Sequence, residues 1–193
     1  MFSQNLAWEM VEKYRNLKIG GKTIVCPYFT NHIGKAFLDA MRDGGLDIET
    51  ARKVIAQFNE RRYPIAWWRG KGTPEQIVEA TEEIAKIEGV DLAKAGGQSV
   101  REFMLLHGLG VDCSGFVYNV LSFAGAKFVL PVNKASAATF ADVSVKINFK
   151  EAGGGDLILI RRFSGEYSHI ALILEEKGLK KIVQSTAMLA PVG

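Results

Sequence analysis

The stretch "VDCSGFVYNV", residues 111–120, decides the reading of this chain. One cysteine, Cys113, stands between Asp112 and the pair Ser114-Gly115, and an apolar run follows directly. Asp112 and Ser114 are both residue types that cap a helix. Phe116, Val117, Val120, Leu121 and Ala124 then recur at helical spacing, which predicts a helix over about 113–124 with that face buried. A thiol at a helix start meets unpaired N–H groups and a partial positive charge, which favour its anion. Gly115 leaves the backbone uncrowded, so an oxyanion could approach the first-turn N–H groups. The competing reading of Cys113 is a small buried residue that happens to open a helix.

Outward from this stretch the texture divides in two. Towards the N-terminus the patterns are helical. Residues 4–15 carry Leu6, Met10, Val11 and Tyr14 on one face, and further helices are expected over 33–42, 48–60, 74–86 and 98–107. Thr73 is an N-cap with Pro74 at the first helical position, and that helix breaks at Gly89. "GGKTIVCPYF" reads as one short strand entered through Gly20-Gly21. After Gly125 the runs are strand-like: 140–147, then "DLILIRR", "YSHIALILEE" and "KKIVQSTA", parted by Gly-rich turns. Helices followed by strands predict an α+β fold with a mostly antiparallel sheet. Residues 1–97 form a helical extension with one strand that packs onto or completes the second part, 98–193.

The 193 residues are 48% hydrophobic and 10% aromatic, enough to build a sizeable core. The formal charge of +3, with no long basic block, gives no case for nucleic acid. The cluster Arg61, Arg62, Arg69 and Lys71 around Trp67 and Trp68 is expected to be a solvated, partly packed surface. The two tryptophans are expected to pack against the sheet, the alternative being a cap over the cleft. No run of about eighteen apolar residues occurs, so no membrane insertion is expected. The N-terminus lacks a secretory pattern, so the sequence as written is expected in the cytoplasm, or outside the cell if a leader has been removed.

A cysteine nucleophile needs a base and a group that orients the base. Three histidines exist: His32, His107 and His169. His107 sits at a helix end, where the dipole alone accounts for it. His32 has no partner nearby in sequence. His169 interrupts the apolar strand "SHIALILE", both faces of which are greasy, so its ring needs partners; a satisfied core histidine is the alternative. On the next strand Gln184 shares a face with Ile182 and Thr186, and its amide oxygen could accept from the imidazole and fix its tautomer. An exposed glutamine at a sheet edge fits the same pattern. Cys113, His169 and Gln184 together nevertheless follow one chemical logic.

"VDCSGFVYNVL", "GGGDLILI", "SHIALILE" and "IVQSTA" resemble the NlpC-type cell-wall peptidases of the papain-like superfamily. The resemblance covers roughly residues 98–193. It implies a papain-like fold with the catalytic helix packed on the sheet, Cys113 as nucleophile, His169 as base and Gln184 in the third position. It further implies a cysteine amidohydrolase acting on a peptidoglycan stem peptide, between D-glutamate and the diamino acid. Cys113→Ala is then expected to abolish hydrolysis. Asp112 and Ser114, beside the cysteine, are weaker candidates for the substrate or oxyanion side. So is Tyr63, from the imperfect match of "YPIAWWRGKG" to a Tyr-x-Trp-Gly-Gly-like segment. The family's sheet usually has more strands after the third polar residue, and "GKTIVCPYF" is a candidate to complete it. The alternatives are an inert binding domain of this fold and a thiol acyltransferase.

No cofactor is expected. Cys26, His32, His107 and Cys113 could in principle form a Cys2His2 metal set, but the spacing of six within each pair is looser than in zinc sites. The glycine run 153–155 precedes a strand and lacks a Lys-Ser/Thr ending, so it is no phosphate loop.

Overall fold

A computed structural model describes residues 2–29 and 70–186. Helix α1 spans Gln4–Arg15, strands β1 and β2 span Leu17–Ile19 and Lys22–Ile24, and helices α2 and α3 span Pro74–Glu88 and Gly97–Leu106. Helix α4 covers Cys113–Phe123 and α5 covers Ala137–Val143. Strands β3 (Leu157–Arg161), β4 (Tyr167–Glu176) and β5 (Leu179–Val183) close the described chain. The expected helices 33–42 and 48–60, with His32, Arg61, Arg62, Tyr63, Trp67, Trp68 and Arg69, lie outside the described residues.

The fold is α+β with antiparallel sheets, as the order of the patterns predicts. β4 is the central strand of β3-β4-β5, and residues Ile170 to Leu174 are buried on both of its faces. Two apolar faces in a row mean cover on both sides. Helix α4 packs against β4, and α1 packs against both. Ala7, Met10, Val11 and Tyr14 of α1 join Phe116, Val117 and Val120 of α4 and Ile170, Leu172 and Leu174 of β4 in one apolar core. Residues ahead of position 94 therefore belong to the same core as the cysteine-bearing helix.

Two elements differ from expectation. Gly20 and Gly21 both take positive φ (54° and 75°), the geometry of a tight turn between antiparallel strands. The expected single strand is therefore a hairpin, β1 paired with β2 from Leu17↔Ile24 to Ile19↔Lys22. This hairpin is a separate sheet and does not extend β3-β4-β5. Second, the expected strand 140–147 is helical over Ala137–Val143 and irregular beyond. Ser136 accepts from the Thr139 N–H at 3.0 Å while Thr139 Oγ1 accepts from the Ser136 N–H at 2.8 Å. That reciprocal cap starts a helix where side-chain alternation suggests a strand.

Helix α2 starts as its sequence predicts. Thr73 accepts from the Gln76 N–H (3.3 Å), Gln76 Oε1 accepts from the Thr73 N–H (2.9 Å), and Gly89 ends the helix at φ 69°. Thr73→Ala is expected to lower the urea midpoint by the equivalent of about 1 kcal/mol. An unchanged midpoint would show that the cap adds nothing.

Candidate active site

Cys113 is the first residue of α4, and Asp112 is its N-cap. The Asp112 carboxylate accepts from the Gly115 N–H at 2.6 Å, and so fixes the first turn. Two strands of irregular chain hold the approach to this helix. Val111 N–H donates to the Pro27 carbonyl (3.0 Å) and Phe29 N–H to the Val111 carbonyl (3.1 Å), so residues 27–29 run alongside. On the other side Lys71 forms an antiparallel bridge to Val111, and Asp112 N–H donates to the Gly70 carbonyl (2.8 Å). Gly70 adopts φ 68°, and a Cβ there would lie 2.9 Å from the Asp112 nitrogen. Only a glycine fits that approach.

Lys71 is a correction to the expected solvated cluster, because it is only 6% exposed. Its ammonium lies 2.7 and 2.5 Å from the two Asp112 oxygens and donates to Ser114 Oγ at 2.6 Å. Ser114 Oγ in turn lies 3.1 Å from Asp112 Oδ1 and 3.2 Å from the Ala135 carbonyl. Asn119, one turn further along α4, donates to the carbonyls of Lys71 and Gly72 at 3.1 Å each and to the Tyr14 hydroxyl at 2.8 Å. The side chains of Asp112 and Ser114 are thereby committed to a buried network, both below 5% exposed. They stabilise the helix start and do not present themselves to a substrate.

Cys113 is 8% exposed. The backbone N–H groups of Ile170 and Ser114 act on its sulfur and favour its anion. Ile170 follows His169 on β4, so the strand that carries the imidazole is the one that touches the thiol. His169 Nε2 lies 2.7 Å from Gln184 Oε1. An amide oxygen can only accept, so Nε2 carries the proton and Nδ1 is left as the basic nitrogen. Gln184 follows β5, whose register sets Val183 against Leu172, and Ser185 Oγ ties the next residue to the Val111 carbonyl at 2.7 Å. The structure thus joins His169 to Gln184 and sets Cys113 against the neighbouring residue of the same strand. Ile182, expected on the inward face with Gln184, is 57% exposed.

The helix start alone predicts a thiol with a lowered pKa. Burial reverses that, and pushes the Cys113 thiol up. The Ile170 N–H opposes this, the Asp112 carboxylate adds to it, and the Lys71 ammonium and Ser114 N–H again oppose it. Tyr28 is the residue that the sequence does not disclose. Its phenol is pushed up to about 12, by burial first and then by the proximity of Cys113 and Asp112. In the sequence it sits at the end of a strand-like run beside Pro27. Only the pairing of Tyr28 with Val111 brings it to the thiol.

A cavity of about 390 Å³ opens beside this group, lined among others by Cys26, Tyr28, Arg101, Gln184, Ser185 and Thr186. Cys26 is half-buried, and the desolvation of its thiol pushes it up to about 12. His107 caps α3 with its ring 4.3 Å from Phe103 and Nε2 3.3 Å from Glu88. Among the described residues no three His, Cys, Asp or Glu side chains converge as a metal set. No described helix is long and apolar enough to cross a membrane.

Residues 94–188 match the family model described as the NlpC/P60 family. No curated protein and no solved structure matches the chain. The matched segment contains Cys113, His169 and Gln184, and ends two residues after the last described residue, Thr186. Members of this family are in general cysteine hydrolases that act on cell-wall peptides. With its cysteine-bearing helix packed on an antiparallel sheet, the segment 94–188 of this chain is a match to the NlpC/P60 family.

Proposed function

We propose that the chain is a cysteine peptidase that cleaves an amide bond in a peptidoglycan stem peptide, between D-glutamate and the diamino acid. The observation that carries the reading is the 2.7 Å contact of His169 Nε2 with Gln184 Oε1, on the strand whose next residue, Ile170, favours the Cys113 anion through its N–H. That contact directs Nδ1, the nitrogen free to accept, towards proton transfer.

Burial keeps the resting thiol protonated, so the base takes part in the attack itself. His169 Nδ1 takes the thiol proton while the sulfur bonds to the amide carbon, and the carbonyl π pair moves onto oxygen. The oxyanion is received by first-turn N–H groups of α4 and by the Tyr28 hydroxyl, which takes the place first sought for Tyr63. As the C–N bond breaks, the imidazolium returns its proton to the leaving amine and a thioester remains. Water, deprotonated by the same nitrogen, then hydrolyses the thioester and restores the thiol.

Peptides with a γ-D-glutamyl–diamino acid bond test this directly. The full chain is expected to release a new free amine from them, and Gln184→Ala to lower kcat on the order of 10–100-fold with KM little changed. No release by the wild-type chain, with stem peptides as substrates, rules the reading out.

The second reading, a binding domain without turnover, is favoured by the low exposure and raised pKa of Cys113. It predicts retention of such peptides with no amine released, by wild type and by Cys113→Ala alike.

A further inference from the structure

Lys71 has no part in the chemistry above, yet it is the most fully enclosed cation beside the cysteine. Long cationic side chains are almost never enclosed unless paired, and the enclosure of two charges is costly even when they pair. The pair sits where charge matters most for Cys113, since Asp112 adjoins it in sequence and caps its helix.

A carboxylate at an N-cap suits the helix, but a full negative charge next to a thiol opposes formation of the thiolate. We propose that Lys71 is a positioning residue for Cys113: its ammonium cancels the Asp112 charge and pins Asp112 and Ser114, so the helix start is capped without opposing an anion on the sulfur. This role rests on the reading of Cys113 as the nucleophile, but it concerns the thiol and not the peptide.

Three geometric facts support it. Both Asp112 oxygens are within 2.7 Å of the same ammonium, so the cation faces the carboxylate squarely. The third contact, to Ser114 Oγ at 2.6 Å, ties the residue on the other side of Cys113 to the same group. The lysine backbone is fixed independently by its bridge to Val111 and by Asn119. Gly115 has no side chain because none fits: a Cβ would run into the Gly70 carbonyl and lie 2.9 Å from the Lys71 Cα. The groups that act on the sulfur are the Ile170 N–H of β4, Asp112 and the Ser114 N–H from its own helix end, Lys71 and Tyr28. Of these, Asp112 pushes the thiol up and Lys71 pulls it down, after the dominant effect of burial.

The test is the rate of Cys113 alkylation by iodoacetamide against pH, in the full chain, resolved from Cys26 by mass spectrometry. Lys71→Met is expected to raise the apparent pKa of Cys113 by about one, a tenfold loss of thiolate below the midpoint. Asp112→Asn, which keeps a capping side chain, is expected to lower it by a similar amount. The double variant returns it close to wild type, and Lys71→Arg leaves it unchanged. A purely structural role would move both single variants the same way, or neither; either result overturns the proposal. Where Lys71→Met does not fold, Asp112→Asn decides alone, a fall supporting the role and a rise or no change overturning it. The opposed shifts without peptide hydrolysis would sink the peptidase reading and leave this role standing. Hydrolysis that depends on Cys113, without the shifts, would sink the Lys71 role alone.

Discussion

Cys113→Ala is expected to reduce amine release from γ-D-glutamyl–diamino acid peptides by about 10⁴-fold or more, with the fold intact. The loss is this large because, in the proposed mechanism, the sulfur forms the covalent bond. The imidazole, the helix N–H groups and the Tyr28 hydroxyl remain, but without a nucleophile they can only assist attack by water. Stability should change little. One sulfur atom leaves a site already bounded by α4, β4 and the 27–29 segment, at a cost of about 1 kcal/mol. Parallel measurement of hydrolysis and of the urea midpoint separates the two effects. Activity equal to wild type would remove Cys113 from the mechanism, and a collapsed midpoint would make the loss uninformative about chemistry.

The second large effect is on stability. Asp112→Ala is expected to lower the free energy of unfolding by about 3–5 kcal/mol, because it leaves the Lys71 ammonium enclosed without its anion. The bond to the Gly115 N–H (2.6 Å) is lost with it, and the contact to Ser114 Oγ goes as well. Domains of this size are stable by only about 5–15 kcal/mol, so the variant should unfold at much lower urea and accumulate poorly. The comparison with Asp112→Asn is informative, since asparagine caps a helix as well as aspartate does. Asp112→Ala should therefore be the less stable of the two. A wild-type urea midpoint for Asp112→Ala would mean that the Lys71–Asp112 pair contributes nothing to stability.

What could be read from the sequence, and what could not, follows from distance along the chain. The cysteine helix was legible because its cap and apolar face lie within a dozen residues. His169 and Gln184 were legible because a polar residue in a greasy strand needs an explanation, and the two are only 15 residues apart. Lys71 read as part of a solvated basic cluster because its partner Asp112 is 41 residues away, and nothing local marks it as enclosed. Tyr28 was invisible for the same reason, since only its pairing with Val111 carries it to the sulfur. Tyr63, chosen by resemblance, lies outside the described residues. The 140–147 segment misled because Val143, Val145 and Ile147 alternate as a strand would, while the Ser136–Thr139 cap governs the turn before them.

The pairing of Val111 with residues 27–29 on one side and Lys71 on the other has a consequence for how the protein matures. Chain leaving a ribosome presents Tyr28 and Lys71 long before Cys113, and neither has a partner until residues 110–112 emerge. Contacts of such long sequence separation close late, after the loops between them have been closed. The Tyr14–Asn119 bond, spanning 105 residues, belongs to the same class. The thiol therefore acquires its surroundings only when nearly all of the chain is in place, and a nascent or partly folded chain carries an unshielded sulfur with neither Tyr28 nor the Lys71–Asp112 pair assembled beside it.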